Sequence, residues 1–123
     1  MDIKVSEFRL KLHPKNFHAV KEFYGDVLHF PVTDQWDNGE KDKGVMFSVG
    51  STTLELLTPK NDYPLAGTGG TSIALEVVDV MGLWNELRDK TPVVFEPRDN
   101  SWGDTSFCIS DPEGFQITFF TKT

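Results

Sequence analysis

At 123 residues the chain has room for one ordinary domain or two very small ones. Its 12 basic and 19 acidic residues give a formal charge of −7; such a surface repels phosphate backbones, which argues against a nucleic-acid partner and fits either solubility or a cationic small molecule. No apolar run is long enough to cross a bilayer, the first four residues carry charge rather than a signal-peptide pattern, and a lone cysteine, Cys108, excludes an internal disulfide and suits a reducing cytoplasm.

Residues 3–12 alternate as a strand, with Phe8, Leu10 and Leu12 on one face and Glu7, Arg9 and Lys11 on the other. His13-Pro14 stops it, because the residue before a proline avoids the helical region. Asn16 is placed to cap a helix running to about His29, with Phe17, Val20, Phe23, Tyr24, Val27 and Leu28 as its apolar stripe. Pro31 ends that segment and Val32–Trp36 begins a second strand. Asp37-Asn38-Gly39 is a turn signal, and Glu40-Lys41-Asp42-Lys43 reads as a solvated hairpin tip. Val45–Val49 and Thr52–Thr58 follow as strands around Gly50-Ser51.

Residues 59–70, with two prolines and three glycines, read as a linker whose most mobile part is Gly67–Gly70. Beyond it come a strand over 71–78, a helix over about 80–89 with Val80, Leu83, Trp84 and Leu87 inward, and strands at Pro92–Glu96, Trp102–Ser110 and 115–121. Asp111-Pro112-Glu113-Gly114 is a strong turn, with Asp first, Pro second and Gly where a positive φ is needed. The order β-α-β-β-β thus occurs twice, over about 3–58 and 71–121, the copies about 64 residues apart. One such unit cannot bury its own apolar face, so the copies are expected to share a core, with the groove between them as the default site.

Four strands alternate in the same sense. Phe8/Leu10/Leu12, Leu54/Leu56, Ile73/Leu75/Val77 and Phe115/Ile117/Phe119 are expected under the helices. The opposite faces carry Glu7/Arg9/Lys11, Thr53/Glu55/Leu57, Ser72/Ala74/Glu76 and Gln116/Thr118/Phe120, either simply wetted or turned toward a ligand.

Phe23-Tyr24-Gly25-Asp26-Val27-Leu28, Trp102-Gly103 and Asp111-Pro112-Glu113-Gly114 resemble the vicinal oxygen chelate superfamily, which includes glyoxalase I, bleomycin and fosfomycin resistance proteins and extradiol dioxygenases. The resemblance spans nearly the whole chain. It implies one α+β domain in which two βαβββ modules form a curved mixed sheet around a cleft, with helices on the outer face. It also implies a homodimer. In that superfamily's enzymes a divalent metal sits on His and Glu ligands of the first and last strands; by motif those positions fall on Glu7, Glu55, Ser72 and Thr118. Only Glu7 and Glu55 could ligate, and two hydroxyls are poor donors to a transition ion. His13, His18 and His29 lie off the groove face in this reading.

The implied cleft lining is therefore Glu7, Arg9, Trp36, Glu55, Ser72, Glu76, Trp102, Ser106, Cys108, Gln116 and Thr118, with Trp36 or Trp102 as a stacking wall and no cofactor. Cys108 is expected to be a small packing residue, since no base is placed near it. Three functions remain open. The first is metal-free binding of an antibiotic or metabolite, as in the bleomycin-type resistance proteins. The second is a metal-dependent lyase, isomerase or dioxygenase with an altered ligand set. The third is a scaffold for a partner protein.

Overall fold

The structure, a computed structural model, describes residues 2–59 and 70–123. The chain divides into two compact units, Met1–Ala66 and Gly67–Thr123, each built as βαβββ. The expected linker at 59–70 falls largely outside the described residues.

The first unit holds β1 (Arg9–Leu12), α1 (Phe17–Glu22), β2 (Val32–Asp37), β3 (Lys43–Val49) and β4 (Thr52–Leu57), in sheet order β1-β4-β3-β2. β1 runs parallel to β4 and the other pairs are antiparallel, so the sheet is mixed. The Asn16 side chain caps α1 by accepting from the Ala19 amide at 3.1 Å. The expected long helix is corrected: after Glu22 the chain widens into a single π turn over Phe23–Val27, with the Leu28 amide donating to the Phe23 carbonyl. This turn buries Phe23 and Tyr24, and Tyr24 meets Phe47 of β3 with ring centroids 6.4 Å apart. The segment ends on His29 at φ 59°, a left-handed position usually given to glycine.

Two further expectations fail here. The first strand starts at Arg9 rather than residue 3, and Phe8, expected under the helix, is 65% exposed just ahead of it. The Phe8 carbonyl still accepts from the Thr53 amide at 3.3 Å, so the backbone is held beside β4 while the ring stays exposed; alternation alone does not place it in the core. Lys43, expected in a solvated tip, is the first residue of β3 and is 8% exposed. The turn itself closes one step earlier: the Asp37 carboxylate accepts from the Gly39 amide at 3.1 Å, and Gly39 takes φ 120°.

The second unit holds β5 (Ser72–Glu76), α2 (Val80–Leu87), β6 (Val93–Asn100), β7 (Asp104–Ser110) and β8 (Gln116–Lys122), in sheet order β5-β8-β7-β6. Asp79 caps α2 through the Gly82 amide at 3.0 Å. Thr121 ties the helix start to the sheet, accepting from the Val80 amide and donating to the Val77 carbonyl. As expected, Trp84 is core, 5.2 Å from the ring of Phe107, which lies 5.4 Å from Phe119. Burial of side chains this size contributes roughly 1.5–3 kcal/mol each.

β6 is longer than expected. The expected strand stops at Glu96, and Pro97 lacks a ladder donor, yet the pairing slips between Phe95 and Arg98 and continues to Asn100. Trp102 does not open β7: it sits in the turn before it, 73% exposed. The Asp111 carboxylate accepts from the amides of Glu113 and Phe115, and Gly114 adopts φ 88°, so that hairpin forms as its residues require.

Candidate functional site

Each sheet has one face under its helix and one open face, and the predicted site residues divide between the open faces. In the first unit the register places Arg9 beside Thr53 and Lys11 beside Glu55. Glu55 stands opposite Met46, and Trp36 stands opposite Gly44, which in turn faces Leu57. Glu55 and Trp36 therefore share a face, on strands separated by β3. The Trp36 indole lies directly on Gly44: a Cβ there would come 2.0 Å from Cζ2, so only glycine lets the ring settle.

Glu55 is 7% exposed although its side chain is charged. It forms an ion pair with Arg9, whose Nη1 lies 3.7 Å from Oε1. Arg9 is committed elsewhere: its Nε donates to Glu7 Oε1 at 2.8 Å and its Nη2 to Oε2 at 3.3 Å. That hydrogen bond holds the Glu7 carboxyl below the ordinary glutamate range, and Glu7 raises the Arg9 guanidinium in turn. The result is one exposed carboxylate closely paired and one buried carboxylate loosely paired.

In the second unit Ala74 and Cys108 both flank Thr118, while Glu76 and Ser106 flank Phe120. Ser72 and Gln116 pair at the exposed end. Cys108 is 1% exposed and its thiol contacts the Ile109 carbonyl at 3.5 Å; a thiol so enclosed packs rather than reacts. Glu76 has Lys122 at 3.9 Å, a weak surface pair.

Four residues not anticipated from the sequence complete this face. Asn100 donates to Asp104 Oδ1 at 2.7 Å and to Ser106 Oγ at 2.9 Å. Asp104 Oδ2 accepts from the Trp102 indole N–H at 2.9 Å, so the exposed ring is tethered at its polar edge. The Arg98 guanidinium lies over the Phe95 ring, 3.8 Å from its centroid, and Phe95 stands opposite Cys108. The only sequence signal for this group was the Asn and Asp flanking the Trp102 turn.

The four positions that would carry a metal in this type of fold do not form a matching donor set. Glu7 precedes β1 and is paired to Arg9, Glu55 shares the same guanidinium, and Ser72 and Thr118 are neutral hydroxyls. His18 lies on α1 and His29 in the left-handed turn after it. Among the described residues, no group of three or more His, Cys, Asp or Glu is arranged to hold a metal ion.

Two βαβββ units with mixed four-stranded sheets define the glyoxalase-type α+β fold. A profile described as Glyoxalase/Bleomycin resistance protein/Dioxygenase superfamily matches residues 9–119, and the chain belongs to that superfamily. Solved structures agree in fold. TnmS3, an antibiotic binding protein from Streptomyces sp. CB03234, superimposes with a TM-score of 0.80 at 19% identity, covering 99% of this chain and 100% of that one. A glyoxalase/bleomycin resistance protein/dioxygenase from Nocardioides gives 0.76 at 16% identity, over 99% of this chain and 86% of that one. Lactoylglutathione lyase from Agrobacterium tumefaciens gives 0.73 at 18% identity, over 97% and 95%. At these identities the likeness is one of fold. No curated protein matches the chain. No helix among the described residues is long and apolar enough to cross a membrane.

Proposed function

We propose that this protein binds a small organic cation with an aromatic body, an antibiotic or metabolite, on the open face of the first unit's sheet, holding it without a metal and without transforming it. The observation that carries this reading is Glu55, a carboxylate withdrawn from water whose guanidinium neighbour is engaged by Glu7. A buried charge is costly unless it is well paired, and a cationic ligand adds a partner beyond the 3.7 Å contact with Arg9. Trp36, on the same face, offers a ring to such a ligand. The net charge of −7 favours cations over the whole surface. TnmS3 shows that a protein of this fold serves antibiotic binding.

The reading also includes a cytoplasmic homodimer, for which light scattering is the direct check. The binding claim is tested by a thermal-shift screen of cationic drugs beside elemental analysis of protein purified without chelator. Stabilisation by planar cations with no stoichiometric metal is the expected result. Stoichiometric zinc, nickel, manganese or iron, lost together with turnover in Glu55→Gln, would replace it with a metal-dependent lyase, isomerase or dioxygenase.

A further inference from the structure

The helix side of the first unit holds a pocket of about 210 Å³ between α1 and the β2–β3 hairpin. Phe17, His18 and Lys21 line it from the helix, and Gln35, Trp36, Asp37, Lys43 and Gly44 from the strands. Lys43 is the unusual member. Its side chain is almost wholly buried, on the same side of β3 as the core residues Val45 and Phe47 and so opposite the face that carries Glu55. The ammonium has Glu40 Oε1 at 3.0 Å and His18 Nε2 at 3.3 Å. Three N–H groups thus meet two partners among the described residues, which leaves the third available to an acceptor in the pocket.

We propose that this pocket is a second binding site, for a small aromatic carboxylate. Lys43 receives the carboxylate with its remaining N–H, and Lys21, one helical turn from His18, adds a second positive charge. Phe17 supplies apolar surface for the ring. The volume admits a single ring rather than a drug-sized molecule. Asp37 opposes the anion from the pocket wall, and Glu40 competes for the ammonium. Glu40 is mostly exposed, however, so its carboxylate returns to water at little cost when the ligand arrives. Its charged groups, Lys43 and Lys21, differ from those of the open-face reading, Glu55 and Arg9, and Lys43 points to the opposite side of the sheet from Glu55, so either reading can fail without the other.

The test is amide chemical-shift mapping of the full chain titrated with benzoate, with benzamide and inorganic phosphate as parallel arms. Saturable shifts at the amides of Phe17, His18, Lys21 and Lys43 are expected with benzoate, at least tenfold weaker with benzamide. Lys21→Gln, on the helix surface, should weaken benzoate several-fold and Lys43→Met should abolish the shifts while the rest of the spectrum stays native. The proposal is overturned if benzoate leaves these residues unmoved, if benzamide matches it, if phosphate shifts them as tightly as benzoate, or if Lys21→Gln binds as the parent does.

Discussion

The Glu55 carboxylate, nearly closed to solvent, has the Arg9 guanidinium 3.7 Å away, just beyond hydrogen-bonding reach. Arg9 instead forms its short contacts with Glu7, outside the sheet. The outer acid thus takes the short contacts and the inner, buried one the longer contact, and this asymmetry distinguishes the first unit's open face from an ordinary wetted sheet.

The pH behaviour of Glu7 follows from its partner. The folded value lies below the ordinary one, so the stability this pair contributes is fully present above the ordinary glutamate range and is lost as pH falls through the lowered folded value. Carboxyl titration by NMR should give Glu7 a lower midpoint in the parent than in Arg9→Gln. Equal midpoints would show that the hydrogen bond does not persist in solution.

Gly44 should resist every substitution. Alanine there collides with the Trp36 ring, which must leave the sheet face. Gly44→Ala is expected to cost about 1–3 kcal/mol in urea unfolding. Its tryptophan emission should shift to the red as the indole becomes wetter.

His29 offers the opposite effect. At φ 59° a side chain is strained, and glycine removes that strain while adding some freedom to the unfolded chain. His29→Gly should stabilise by about 0.5–1 kcal/mol in chemical denaturation. His29→Ala retains the strained Cβ and should give no gain.

Much of this architecture is legible in the sequence because its signals are local. The Asp111–Gly114 turn, the Asn16 cap and the alternation of Leu54, Leu56, Ile117 and Phe119 each predict what forms. The failures share a different cause: they depend on neighbours distant in sequence. The expected strand stops at Glu96, but a bulge carries β6 past Pro97 and so creates the Asn100–Ser106 link. Lys43 sits in a charge run that reads as solvated, yet His18, 25 residues earlier, lies against it. Phe8 continues an alternating pattern at the very end of the ladder, where its ring stays exposed. The duplication itself is visible as pattern, whereas the unequal partnering of Glu7 and Glu55 needs side-chain distances.

The most direct test of the central claim is calorimetric titration of the parent and Glu55→Gln with proflavine, a planar aromatic cation, beside neutral acridine. Removing the charge at Glu55 should change folding stability by no more than about 1 kcal/mol, since Arg9 keeps its contacts with Glu7. The account predicts saturable proflavine binding to the parent, at least tenfold tighter than acridine, and loss of that preference in Glu55→Gln. Equal affinity of the parent and Glu55→Gln for proflavine would contradict it.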